Sequence, residues 1–392
     1  MPTTALLYCG RIVERAKAGY LTATRVASRD HGQTGLRILH AIISPGFYGS
    51  ERYCIDLAVA QSRAGHDVTV LVADAGSWQI RRAIAQADDD GAHSNIVRLI
   101  ALPGYVPSWL HRPAAAVVLW LRRPNIVHTH LNPAARRIGA IAQRLGIPHV
   151  LTLHLDYDAN EHASIDGLVA LNGRQREQIP PDFAGPVTII WNWLPSRVES
   201  SLARVRPVDV RRLRGGWDAD DTTVVFGSVG RLMPEKGMDV LIRAFRLGFA
   251  AGNPNVRLVI VGDGPQRSEL VQLAGSDRRI VLAGVQSEIA PFYRAFDVFV
   301  SAARFEPFGL AIIEAMAAGC PLIATRIHGT VEFVTDPRTL WTEPDSDSQL
   351  GLQLRKAAML NRERFVYDMS RLTLARAVNQ MDDFYSRLIG TR

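Results

Sequence analysis

The chain has little cysteine. Cys9, Cys54 and Cys320 are its only thiols among 392 residues, and they stand far apart. Without metal-ligand spacing they exclude a disulfide framework and fit a reducing compartment. Also missing is any apolar run of about 18 residues, the length a membrane-spanning helix needs. The longest candidate, Ala114–Leu121, is far too short. Gly262-Asp263-Gly264 lacks the third glycine of a dinucleotide fingerprint, which argues against a nicotinamide dehydrogenase. No nucleic-acid motif accompanies the net charge of +7, so nucleic acid is not an expected partner. That charge is carried mostly by arginine and permits anionic partners without specifying them.

Carboxylates are absent between Arg98 and His149, a stretch with seven arginines. Tyr105, Trp109, Trp120 and the apolar run Val117–Leu121 interleave with them. Basic residues mixed with tryptophan suit an anionic membrane surface; an ordinary exposed helix pair has the same pattern. Residues 1–35 are also rich in basic side chains and lack the apolar core of a secretory signal. They read as a mobile extension or as an amphipathic membrane-surface helix.

What is present is ample apolar material. A hydrophobic content of 47% in a chain of this length supports two packed domains. The fold begins near Leu36 with a strand over Arg37–Ile43. A glycine-bearing turn follows, then a helix from Glu51 to Ala64 with Ser50 as its N-cap, then a strand over Asp67–Ala73. This is a βαβ unit, and Gly49 in its turn is a candidate for close backbone approach to a ligand. Residues 76–95 read as a polar loop, and Asp88-Asp89-Asp90 as a solvated run, not a cation site.

His128 and His130 alternate along a strand ending at His130 and read as structural. Two such residues are too few for zinc. His154 follows the strand Pro148–Leu153, at the end of a sheet where ligands bind. Its ordinary pKa suits a donor or acceptor near neutral pH.

Strands at Thr223–Val229, Val256–Val261, Ile280–Leu282 and Val298–Ser301 alternate with helices in the second half. The first ends in Gly230-Arg231-Leu-Met-Pro-Glu-Lys236-Gly237, placing two cations beside one strand end. Arginine can fork onto phosphate oxygens and lysine acts as a point charge. The fourth leads to Glu306-Pro-Phe-Gly-Leu-Ala-Ile-Ile-Glu314. Gly309 allows a tight turn into a helix whose first N–H groups suit a phosphate. Carboxylates at Glu306 and Glu314 can each accept from sugar hydroxyls, with a diphosphate between them. After Asp345 the chain reads as helical, with one or two amphipathic helices over Arg362–Ile389.

The Glu306-to-Glu314 string, continued by Ala-Met-Ala-Ala-Gly-Cys-Pro, resembles the E-x7-E motif of family 4 glycosyltransferases, and Gly230–Gly237 is similar to a second motif of that family. The resemblance covers roughly residues 36–390 and is stronger in the second half. It implies the GT-B fold, an α/β architecture of two Rossmann-like doubly wound domains facing across a cleft. The expected division is an N-terminal extension at 1–35, an acceptor domain at 36–195 and a linker at 196–207. A donor domain follows at 208–370, and a C-terminal helix at 371–392 returns to the first domain.

The activity implied is retaining transfer from a nucleoside-diphosphate sugar (UDP- or GDP-linked) to a hydroxyl, without a metal or other cofactor. Gly230, Arg231, Lys236, Phe308, Gly309, Leu310 and Glu314 are the implied donor-binding residues. His154 is implied beside the donor sugar, where it binds the sugar or positions the attacking hydroxyl. Glu306 orients the sugar hydroxyls or stabilises an oxocarbenium-like centre. Gly49 and Val285 are further candidate contacts, Val285 in a turn that borders the base in relatives. Trp193 and Tyr48 depart from glycines that the family carries at those turns. The implied acceptor is a glycan or lipid-linked glycan of cell-envelope or polysaccharide biosynthesis. The implied place is the cytoplasm, with membrane contact through 98–149 or 1–35. Other readings of the same fold are a sugar-nucleotide epimerase, a phosphorylase and a non-catalytic sugar-nucleotide binder.

Overall fold

The structure, a computed structural model, describes residues 35–392 except 45, 48, 74–76, 88–96, 103–110, 251–252, 254, 361–362 and 391–392. The expected extension over 1–34, Asp88–Asp90, Tyr105 and Trp109 therefore lie outside the described residues.

Two sheets organise the chain. The first has the order β3-β2-β1-β4-β5-β6-β7. Its strands are β1 (Arg37–Ile42), β2 (Asp67–Ala73), β3 (Val97–Leu102), β4 (Ile126–His130), β5 (His149–Thr152), β6 (Gly167–Ala170) and β7 (Val187–Ile189). The second has the order β10-β9-β8-β11-β12-β13. Here β8 is Val224–Val229, β9 Val256–Val261, β10 Ile280–Gly284, β11 Val298–Ser301, β12 Leu322–Thr325 and β13 Leu340–Thr342. The pairings are parallel, and helices lie between consecutive strands. Central strands buried on both faces explain why β9 reads Val-Arg-Leu-Val-Ile-Val with so little polarity. In each sheet the order reverses beside one strand, at β1/β4 and at β8/β11. Open α/β sheets bind ligands at such reversals, outside the carboxyl ends of the strands. This is the GT-B architecture of two Rossmann-like domains.

Residues up to 169, with 182–187 and 382–392, form the first unit; 170–181 and 188–381 form the second. The helix Leu374–Gly390 thus ends in the first unit, where Phe384 and Leu388 pack over Gly167 of β6. Where a linker was expected over 196–207, the helix Ser196–Arg204 buries Val198 and Leu202.

Three local expectations change. The polar stretch after residue 76 contains the helix Ser77–Ala87. Ile80, Ala83 and Ile84 supply the three-and-four spacing of one apolar face, and Ile80 is buried. Ser50 lies inside the helix Gly49–Arg63 instead of capping it, because Gly49 already starts the turn. Among the described residues, 98–149 hold two helical segments, His111–Arg122 and a stretch over 132–144, with the strand Ile126–His130 between them. Residues 363–372 run without helix. They lie along the turn at Gly319-Cys320, where the Phe365 N–H donates to the Gly319 carbonyl at 2.9 Å and the Tyr367 hydroxyl to the Cys320 carbonyl at 2.8 Å. No helix of the described residues is long and apolar enough to cross a membrane.

Candidate functional site

In the second unit the carboxyl ends of β8 and β11 meet at the reversal of strand order. Gly230 leaves β8 and opens the loop to the short 3-10 turn Pro234–Lys236. Gly237 follows at φ 62°, where an L side chain would be strained and a Cβ would collide with the Ala302 carbonyl. This close approach presses the Lys236 turn against the segment leaving β11. The Arg304 and Phe305 N–H groups both donate to the Glu235 carbonyl, at 2.8 and 3.2 Å. Arg304 also forks onto Asp239 at 2.8 and 2.7 Å and reaches Asp345 at 2.6 Å. Burial raises the Asp239 pKa, but hydrogen bonds and charge from Arg304 and Arg243 outweigh it and bring it to about 2.

The outcome of this bracing is a close ion pair. Lys236 Nζ lies 2.5 Å from Glu306 Oε2. Both residues line a small cleft with Ser228, Ser301, Ala303 and Ala311. Gly309, at φ 82° in the left-handed region, starts the helix Leu310–Ala317 with no side-chain cap. The first N–H groups of that helix, at Leu310 and Ala311, lack intrahelical acceptors by geometry. Lys236, Glu306 and this helix start are thereby brought together.

The other expected donor residues have distinct settings. Arg231 is exposed. Phe308 turns its ring into the core, stacked on Phe333 with centroids 4.7 Å apart, so only its backbone is available to a ligand. Glu314 is 8% exposed, and its Oε2 accepts from the Tyr293 hydroxyl at 2.7 Å. Burial and the adjacent carboxylate hold the Tyr293 pKa well above its ordinary value, so it remains the donor. Val285 is 74% exposed after Gly284. Trp193 is buried and fills core.

The first unit gathers imidazoles at its own reversal of strand order. His40 of β1 and His128 of β4 are register partners, and His130 pairs with Thr152 of β5. His40 Nδ1 lies 3.1 Å from His130 Nε2, and His130 Nδ1 lies 3.2 Å from His154 Nε2. His40 Nε2 lies 2.8 Å from Gln61 Oε1. His128 is held by Tyr385 and Thr152 at 2.6 and 2.7 Å. Burial pushes the pKa down to about 4 at His40 and about 3 at His154, and well below the usual range at His128 and His130. His154 thus departs from the ordinary pKa expected of it, and its neutral imidazole offers one donor and one acceptor nitrogen. Gly49 lies exposed at the start of its helix in this unit.

Sequence spacing did not connect Cys54 with these residues. Its sulfur lies within 4.8 Å of ring nitrogens of His40 and His130. Burial raises the thiol pKa, while His40 Nδ1 and His130 Nε2 are engaged with each other at 3.1 Å. Arg304, Asp239 and Tyr293 were also missed. The signal for Arg304 was its place two residues before Glu306; Tyr293 offered none.

Comparison with known proteins gives concordant results. The family described as "Glycosyltransferase Family 4" matches residues 47–195, and "Glycosyl transferases group 1" matches 223–357. A GDP-mannose-dependent alpha-mannosyltransferase of Mycobacterium tuberculosis is 29% identical over 337 residues, covering 80% of this chain and 85% of that protein. The lipopolysaccharide core biosynthesis glycosyltransferase LpsD of Rhizobium meliloti is 29% identical, with 79% and 84% covered. Among solved structures, Anabaena HepE in complex with UDP and glucose superposes with a TM-score of 0.72 at 20% identity, covering 90% of this chain and 99% of that one.

Proposed function

Since this chain belongs to the family 4, group 1 glycosyltransferases, we propose that it transfers a sugar from a nucleoside-diphosphate sugar with retention at the anomeric carbon. The acceptor is a hydroxyl of a glycan or lipid-linked glycan of the cell envelope. The observation that carries this reading is the Lys236–Glu306 pair beside the uncapped start of the Leu310–Ala317 helix.

In the reaction the bond from the anomeric carbon to the diphosphate breaks, and a bond to the acceptor oxygen forms on the same face. The acceptor's proton passes to a departing phosphate oxygen. Negative charge grows on the diphosphate as this happens. Lys236, Arg231 and the N–H groups of Leu310 and Ala311 supply fixed positive potential for it. Charge placed in advance costs no reorganisation at the moment of bond breaking, so these groups take the part a metal plays elsewhere. Glu306 orients the sugar hydroxyls, and Glu314, steadied by Tyr293, holds the ribose hydroxyls. His154 offers a neutral imidazole to a sugar or acceptor hydroxyl.

Lipopolysaccharide enzymes and mannosyltransferases among the relatives support a cell-envelope acceptor. The mannosyltransferase is named for GDP-mannose, while HepE was solved with UDP, so both bases belong in the test. Thermal-shift titration with UDP, GDP, ADP and their sugars, followed by turnover on envelope-glycan acceptors, tests the reading. Stabilisation by a nucleoside diphosphate together with sugar transfer is expected; absence of both would overturn it.

A further inference from the structure

Five groups from distant parts of the first unit stand in single file: Asp382, Gln61, His40, His130 and His154. We propose that Asp382 sets the tautomer of His154 through this file, so that His154 carries its proton on Nε2 and leaves Nδ1 bare. Asp382 and the three residues between would then be positioning residues for His154.

The direction follows from which groups can only donate or only accept. Asp382 Oδ1 lies 3.4 Å from Gln61 Nε2. A carboxylate only accepts, so the Gln61 amide must turn its NH2 toward Asp382. The reverse orientation would set two oxygens against each other. The amide oxygen then faces His40 Nε2 at 2.8 Å and can only accept, so His40 donates from Nε2. Each ring in the file is neutral at pH 7, with one donor and one acceptor nitrogen. His40 Nδ1 is therefore a lone pair, and His130 Nε2 donates to it across 3.1 Å. His130 Nδ1 is then a lone pair in turn, and His154 Nε2 donates to it across 3.2 Å.

A second contact secures the far end. The Leu36 N–H donates to His66 Nδ1 at 3.0 Å, which leaves the His66 proton on Nε2. That proton points at Asp382 Oδ2, 3.1 Å away. Asp382 is thereby fixed as an acceptor from both sides. Gln61, His40 and His130 are completely buried, so no water competes along the file.

A bare Nδ1 can accept from a hydroxyl, whereas the opposite tautomer would present an N–H there. The consequence for turnover rests on the proposed contact between His154 and a sugar or acceptor hydroxyl. The tautomer itself does not.

Ring-nitrogen NMR of the full-length protein labelled with 15N-histidine reads the tautomer directly. Wild-type His154 is expected to show only the Nε2–H pattern. Asp382→Asn lets the amide of Gln61 adopt either orientation and should give a mixture. Asp382→Lys, an obligatory donor, should invert the file and give Nδ1–H. Wild-type His154 with its proton on Nδ1, or an unchanged Nε2–H pattern in both variants, would overturn the proposal. Turnover separates the two claims. It should fall about two- to tenfold in Asp382→Asn, following the fraction of molecules left in the wrong tautomer. A shifted tautomer with unchanged turnover upholds the file and removes His154 from the chemistry.

Discussion

Lys236 Nζ and Glu306 Oε2 stand 2.5 Å apart, although the residues belong to loops after different strands. The pair neutralises two charges in a cleft that is to receive an anionic diphosphate and a sugar. Glu306 keeps Lys236 extended toward the helix start, and Lys236 keeps the carboxylate turned inward. Lys236→Ala is expected to lower turnover by about 10²-fold or more, the scale of losing one preorganised donor to developing charge. Glu306→Gln should lower it as well, and the double variant should lose less than the product of the two. Steady-state kinetics on the three variants checks this; strictly multiplicative losses would show the groups acting apart. Arg231→Ala should also cost about 10²-fold.

Charge supplied by side chains and a helix start leads to a second expected outcome. Turnover with the donor nucleotide should persist after dialysis against a chelator. A loss restored by a divalent cation would refute the metal-independent reading.

Much of this site could be read along the chain because its parts are contiguous. Gly230 to Gly237 is one loop, and Glu306 to Glu314 is one loop and one helix, so spacing alone joined them. β2 ran over Asp67–Ala73 as expected, since its apolar run has sharp polar borders. The histidine file had no such signature. His40, Gln61, His130, His154 and Asp382 come together only because β1, β4 and β5 lie side by side and the last helix crosses back to them. The contacts of the file join residues 21 to 321 positions apart, and no periodicity marks them. The Ser77–Ala87 helix was hidden by its polar content, which masked the apolar spacing. Phe308 was read with its motif neighbours, but hydrophobic stacking on Phe333 directs its ring inward.

The hydrogen bond from Tyr293 to Glu314 predicts a binding effect. Tyr293→Phe removes a hydrogen-bond donor from a buried carboxylate, which costs about 1–3 kcal/mol. Nucleotide affinity should weaken by more than in a variant of equal stability elsewhere in the unit. Isothermal titration with the donor nucleotide, beside urea unfolding, distinguishes the two. Weakening in proportion to lost stability alone would remove Glu314 from the ribose.

The buried histidines make a prediction about acid. His40, His128, His130, His149 and His154 all have pKa values pushed below 6.5 by burial, to about 4 at His40 and His149. Below 6.5 the unfolded chain binds protons that the folded chain refuses, so stability rises with pH across this window. It is complete above about 6.5 and is lost as pH falls toward 4. Each histidine contributes a slope of up to about 1.4 kcal/mol per pH unit there. Asp239 acts lower: its pKa of about 2 makes its contribution full above about 4 and lost only below. Urea midpoints measured from pH 7.5 to 4.5 should therefore fall steeply. His40→Gln should flatten the curve, since it removes one group that must charge on unfolding. A curve that is level between pH 6.5 and 4.5 would mean that these rings are already protonated in the folded protein. Two adjacent charged imidazoles cannot share the 3.1 Å contact between His40 and His130, so the first-unit core would have to be rearranged.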